Sequence, residues 1–425
     1  MFRLQEHGTS VRTELLAGLT TYMTMVYIVF VNPAILSETG MDKGAVFVAT
    51  CLAAAFGSAL MGLYANYPVA LAPGMGLNAY FTYSVVKGLN VPWQAALGAV
   101  FVSGVLFLLV SVTPVRAWII NGISKSMKLA MSVGIGFFLA IIGLQSAGLI
   151  AADPVTLVKI GDLRSPGTAI AVAAFILMAA LDARKVRGAI LIGILAAYAA
   201  ALALGLSTFN GIAALPPSIA PVLLKMDLAG VLDLSMATIM LTFFFVVLFD
   251  NTGTLIGVAQ AAGMMRPDGS LPGIGRALTV DSTATMAGAA LGTSTTTSYI
   301  ESAAGVNAGG RTGLVAVTVA VLFLATLFLA PLAGSMPLFA TAPALVFVGC
   351  LMMAGARDIA YEHPTELVPA AVTIVSMPLT YSIADGIAFG FMAYAGIKLL
   401  AGRFADISVA VGLLAVLFTL RFALL

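Results

Sequence analysis

Apolar runs separated by short polar punctuation recur along the whole chain, and no charged side chain interrupts residues 44–86, 188–224 or 312–356. Each run holds one or two segments of about 20 apolar residues, the length that crosses a bilayer. The spans are helical, because barrel strands alternate polar and apolar positions with period two and these runs do not. The pattern predicts fourteen elements near 15–36, 45–65, 68–86, 91–113, 128–150, 167–181, 187–206, 235–263, 276–291, 293–307, 312–332, 340–356, 364–400 and 405–424. Pro378 interrupts 364–400, which reads as a short re-entrant or interfacial helix followed by a true span. The expected fold class is therefore an all-α polytopic membrane protein.

Two elements depart from ordinary spans. "YPVALAPGMGLNAYF" (67–81) carries Pro68 and Pro73 followed by Gly74 and Gly76, and "LGTSTTTSYIESAAG" (291–305) carries a threonine run that turns helix-compatible. Proline inside a helix costs about 3 kcal/mol, and threonine is stiff at χ1 and favours extended backbone. Both stretches read as extended segments that become helices halfway across, which is tolerated at membrane depth only where backbone is buried or lines a cavity. Asp250 and Glu301 are 51 residues apart, and the same separation links Tyr27 and Asn78, 223 positions earlier. Seven elements precede the eighth span, so the second half enters with the opposite orientation. A seven-plus-seven inverted repeat with extended segments in spans 3 and 10 follows, and paired breaks of this kind point to a transporter's substrate site.

Composition agrees with a membrane chain: of 425 residues, 61% are hydrophobic and 9% charged. Mean hydropathy is +1.07. With the N-terminus cytoplasmic, thirteen Lys and Arg fall on the cytoplasmic side and seven opposite, including Arg116 and Arg421 on the first side and Lys398 and Arg403 on the second. That excess predicts both termini inside. The N-terminal "MFRLQEHGTSVRTELLAG" lacks an apolar core with a small-residue cleavage site and reads as a cytoplasmic lead-in helix, not a removable signal. Cys51 and Cys350 form neither a disulfide framework nor a metal site, and no metal or organic cofactor is expected. A net charge of +2 without a basic cluster excludes nucleic acid as a partner. The short loops suggest a prokaryotic plasma membrane.

A carboxylate inside a span costs roughly 2.5–3.5 kcal/mol, so one kept there faces a cavity or the bundle interior. Asp250, Asp281, Glu301 and Asp385 are the acids inside apolar runs. Glu301, at a helix break, is expected to bind solute and exchange a proton; the alternative is a carboxyl bonded to hydroxyls that ties the break together. Asp250 reads as a second ligand, or as an acid satisfied by Thr252 or Thr254. Asp281, beside Arg276, reads as a structural partner. Asn78 is open between a solute contact and a helix cap. Tyr27, Tyr299 and Phe249 fit packing, although Tyr27, Thr254 and Ile300 complete the set of candidate substrate contacts. Carboxylates and an amide suit a neutral, planar heterocycle with ring N–H donors, and a desolvated carboxyl can exchange the coupling proton without a cofactor.

"AGLTTYMTMVYIVFVNPAIL" (17–36), "APGMGLNAYF" (72–81), "FDNTGTLIGVAQAAG" (249–263), "RALTVDSTATMAGAALGTSTTTSYIESAAGVNAGGRTGL" (276–314) and "ATAPALVFVGCLMM" (340–353) resemble the azaguanine-resistance (AzgA-like) purine-base permeases of the nucleobase–ascorbate transporter superfamily. The resemblance covers nearly the whole chain. It implies proton-coupled uptake of hypoxanthine, guanine or adenine, with elevator-like movement of a core domain (1–113 and 235–332; spans 1–4 and 8–11) against a gate domain (114–206 and 340–425; spans 5–7 and 12–14). A homodimer through the gate is the expected assembly. The family's acid in span 8 falls on Asp250, its span-10 glutamate on Glu301 and its span-3 asparagine on Asn78. Where relatives carry a second acid and a threonine around the span-8 aspartate, this chain has Val247 and Asn251; Asn251 is a candidate neutral reader of the solute.

Three rival readings remain at this level. An anion transporter of the same fold would need a cationic site, and two carboxylates repel its solute. An intramembrane enzyme is disfavoured because HExxH, GxSxG and metal-spaced His/Cys clusters are absent from the sequence. A passive channel is disfavoured by broken helices, which suit alternating access.

Overall fold

A computed structural model describes residues 2–113, 115–232, 234–266 and 271–424. Span 1 is two helices, Val11–Met25 and Ile28–Leu36, bent at Val26 and Tyr27. Span 2 is Lys43–Ala65 and span 4 Trp93–Ser111. Span 3 opens with a short strand, β1 (Leu71–Pro73), and continues as helix through Met75–Ala79 and Tyr80–Gly88. Spans 5, 6 and 7 are Lys125–Ser146, Pro166–Ala183 and Ala189–Ala203. Spans 8 and 9 are Leu234–Ala261 and Ile274–Leu291. Span 10 opens with β2 (Thr296–Ser298), followed by helix Ser302–Asn307. Spans 11 and 12 are Leu314–Gly334 and Leu338–Asp358.

The last predicted elements need correcting. Residues 364–400 form two helices, Pro364–Thr380 and Ile383–Leu400, and Pro378 lies inside the first rather than ending it. Neighbouring helices can satisfy a carbonyl that proline frees inside a membrane bundle. The break comes at Tyr381, in the left-handed region at φ 53°, and Ser382 caps the next helix by accepting from the Asp385 N–H. These two helices are spans 13 and 14. Span 12 packs on 5, 6 and 7, just as span 5 packs on 12, 13 and 14, so the repeat pairs 5 with 12, 6 with 13 and 7 with 14.

The run predicted as the fourteenth span is helix Val409–Leu424, which lies outside the repeat. It runs back along span 14: Ser408 Oγ donates to the Gly122 carbonyl at 2.6 Å, and Arg421 pairs with Asp385 at 2.8 Å. A cytoplasmic C-terminus therefore does not follow from the even number of repeat spans. Lys398 moves to the side where spans 5 and 13 begin, held by Glu366 at 2.6 Å and Asp406 at 3.1 Å. Arg403, bound to Asp406 at 2.7 Å, moves with it, and although Arg421 moves the other way to Asp385, the excess of basic residues on the N-terminal side widens. The side chain of Arg116 and the predicted domain boundary at residue 114 lie outside the described residues, as do the side chains of 232–235.

Spans 1–4 and 8–11 pack on one another and enclose the two strands. β1 and β2 pair antiparallel with Ala72 opposite Thr297. Pro73 pairs with Thr296, 223 positions on, the same separation that links Asn78 with Glu301. Gly305 lets the span-10 helix close on span 1, because a Cβ there would collide with Thr21 and the Ala17 carbonyl.

Candidate functional site

The threonine run is extended because its neighbours supply the bonds that a helix would otherwise make internally. Thr285 Oγ1 donates to the Thr296 carbonyl at 3.0 Å, and the Tyr299 N–H donates to Ala70 at 3.0 Å. Tyr299 then crosses the pair, its hydroxyl donating to the Pro73 carbonyl at 2.5 Å. The chain turns at Ile300 and Glu301, and Glu301 takes the capping position of the short helix Ser302–Asn307.

Four predicted residues meet at this turn. The Tyr27 hydroxyl, placed by the bend of span 1, donates to Glu301 Oε1 at 2.7 Å. Asp250 approaches from span 8 near enough for the charge of Glu301 to act on it. Ile300 is half exposed, with its Cδ1 at 3.5 Å from where a Cβ on Gly257 would sit. Gly253 is exposed, and a Cβ on it would find no atom within 4 Å. Positions 250, 253, 254 and 257 share one helical face, so the glycines open a notch beside the two acids. Thr254 is on that face but buried.

Asn78 is elsewhere. The structure ties its Oδ1 to the Ser294 hydroxyl, before the start of β2, while Glu301 lies beyond its end; the Asn78 Nδ2 is buried without a partner. Asn251 does not face the notch as a reader of solute. It is fully buried, and its Oδ1 accepts from the Ser298 N–H at 3.3 Å. Val247 is buried in the core. Asp281 is fully buried and its Oδ1 accepts from Ser298 Oγ at 2.7 Å.

Sequence reasoning missed two supporting residues. Glu14 is fully buried and accepts from the Arg311 N–H at 2.8 Å and from Thr312 Oγ1 at 2.7 Å, closing the glycine-rich turn after span 10. The glycines of "GVNAGGRTG" signalled the turn but not its distant partner. Asn32 donates to Thr50 Oγ1 at 2.7 Å and Thr293 Oγ1 at 2.9 Å, joining spans 1 and 2 to the start of the extended segment.

Two crossed half-helical segments enclosed by inverted repeats, with acids at a notch, define a multi-pass membrane transporter rather than an enzyme. The fold is shared with the transmembrane domain of the cyanobacterial bicarbonate transporter BicA, at a TM-score of 0.66 and 17% identity, covering 88% of this chain and 96% of that one. Residues 12–389 match the model of the Permease family, and the chain belongs to that family. It is 47% identical to the adenine permease AdeP of Escherichia coli over 99% of this chain and 95% of that protein. It is 42% identical to the guanine/hypoxanthine permease PbuO of Bacillus subtilis over the full length of both.

Proposed function

We propose that this protein imports a purine nucleobase (adenine, guanine or hypoxanthine) by proton symport. The observation that carries the reading is the Tyr27–Glu301 bond beside Asp250, with Gly253 leaving space next to both acids. A neutral purine brings ring N–H groups that carboxylates accept, and displacing the Tyr27 hydroxyl frees Glu301 to take one. Ile300 and the face of Gly257 offer apolar surface to the ring. Thr254 supports span 8 at this level, and Asn78 reads the six-position if span 3 shifts during the cycle. The relatives' adenine and guanine/hypoxanthine specificities support this solute class.

Glu301 and Asp250 exchange the coupling proton, and no other cofactor takes part. Spans 1–4 and 8–11 move as an elevator-type core against a gate of spans 5–7 and 12–14, which forms the homodimer contact. The N-terminus and the end of span 14 face the cytoplasm of a prokaryotic plasma membrane. An anion as solute is the weaker reading, because two acids at the notch repel it.

Uptake of labelled adenine, guanine and hypoxanthine into proteoliposomes tests the proposal. Accumulation is expected to follow an imposed inward proton gradient and to collapse with an uncoupler. Counterflow without any response to the gradient removes the symport; no counterflow of any purine removes the solute class.

A further inference from the structure

Behind the notch, on the far side of β2, a third carboxyl has no assigned task. Asp281 is fully buried on span 9; its Oδ1 accepts from Ser298 Oγ, while its Oδ2 has no partner. Asn251, fixed to the main chain of the same Ser298, also leaves its Nδ2 unpaired. Ser298 thus joins an acid on span 9 to an amide next to Asp250 on span 8.

Arg276, on span 9 itself, is exposed, and the elements packed on the span bring no counter-charge to Asp281. Span 9 packs on spans 2, 4 and 8 and on both strands. Span 4 and the strands carry no ionisable side chain. Span 2 brings Cys51, an exposed Tyr64 and Lys43, and the Lys43 ammonium is engaged by the Gly334 and Met336 carbonyls at 3.2 and 3.1 Å. Span 8 brings Asp250, whose charge reaches Asp281 as that of Glu301 reaches Asp250. Three carboxyls therefore stand in a row with like charges acting between neighbours, and such groups do not all ionise together. A buried ion with one hydrogen bond and no cation is costly, and the deepest of the three has no access to solvent.

We propose that Asp281 stores the coupling proton behind Glu301 and Asp250, which bind solute and relay the proton to it. This rests on the proton-coupled nucleobase reading above and refines it. The proton enters as hydronium from one side, passes through the notch acids, resides on a carboxyl oxygen of Asp281, and leaves to water on the other side. No other reactant is required. Movement of β2 with solute repositions Ser298, the hydroxyl that bonds Asp281, and this links solute seating to proton release.

Infrared difference spectroscopy tests the store without any solute. Purified wild type at neutral pH is expected to show a protonated-carboxyl band that shifts in heavy water and is lost in Asp281→Asn; identical spectra overturn the proposal. In proteoliposomes, Asp281→Asn keeps the shape and an acceptor for Ser298, so purine exchange should stay within about threefold of wild type while proton-driven accumulation disappears. Wild-type accumulation in that variant also overturns it. If Asp281→Asn does not fold, Ser298→Ala removes the donor to the carboxyl and should displace the band; an unmoved band counts against the store. Failure of wild type to exchange any purine counts against the function reading alone, because the band does not depend on solute.

Discussion

β1 and β2 follow the same backbone course and share almost no chemistry. Leu71, Ala72 and Pro73 are apolar, and the chain leaves β1 through Gly74. Besides the pairing with β2, its main chain is supported by the Ser58 hydroxyl, which accepts from the Leu71 N–H at 2.9 Å and donates to the Leu71 carbonyl at 3.1 Å. Thr296, Thr297 and Ser298 are hydroxylated, the chain leaves β2 through Glu301, and the support comes from Asn251 and Asp281. A pair of antiparallel strands needs only main-chain groups to form, so the repeat constrains shape and leaves side chains free to diverge. The first repeat supplies a rigid surface, and the second supplies the acids. Spans 1 and 8 divide the work in a similar way. Span 1 bends to deliver the Tyr27 hydroxyl, whereas span 8 runs unbroken and delivers Asp250.

The comparison breaks most visibly at Glu301. Glu301→Gln keeps the shape of the second segment and removes its exchangeable proton, so concentrative uptake should be abolished while insertion and folding, followed by size-exclusion profile, remain normal. Gly253→Leu fills the open space beside the two acids from span 8 and should weaken purine binding roughly a hundredfold in a scintillation-proximity assay, because the side chain takes the volume that the ring would occupy. Tyr27→Phe deletes a bond to Glu301 that the purine must displace, worth about 1.5–3 kcal/mol, and should lower the KM for uptake roughly tenfold with unchanged protein levels. Asn78→Ala, in the apolar segment, should change KM by about threefold or less, and a loss as large as that of Glu301→Gln would show that the first repeat carries chemistry after all.

The smallest effect belongs to a site outside both segments. The hydrogen bond and charge of Lys398, with Arg403, hold the Asp406 carboxyl below the usual carboxylate range. A depressed pKa means that its contribution is complete at neutral pH and fades as pH falls below that range. Asp406→Asn should therefore lower the melting temperature slightly at pH 7 and not at all in strong acid.

Much of this arrangement was legible because burying charge and breaking helices are both costly in a bilayer. Those costs made Glu301, Asp250 and the two interrupted spans stand out from an apolar background, and the resemblance assigned them a solute. The register was less legible. Asn78 matches Glu301 by spacing, but that separation does not tell which residues pair across the strands, or that Asn78 meets Ser294 while Glu301 meets Tyr27. The division of 364–400 was hidden because Pro378 is a stronger punctuation mark than Tyr381, where the helix in fact stops. Asn251 looked like a solute reader because it follows Asp250, but adjacent helical residues point about 100° apart and one of them faces the strand. Glu14 could not be paired from sequence, because its partners lie 297 and 298 residues away.

The pairing of β1 with β2 also constrains how the protein is made. A ribosome threads the first half into the membrane while β2 is still unsynthesised, so residues 71–73 must wait at bilayer depth with main-chain groups that lipid cannot satisfy. During that interval the nascent chain needs a substitute, either water in a cavity of the insertion machinery or a chaperone surface. The strand pair is thus among the last parts to form, and a nonsense product ending before residue 296 would leave an unfinished edge as a ready signal for membrane quality control.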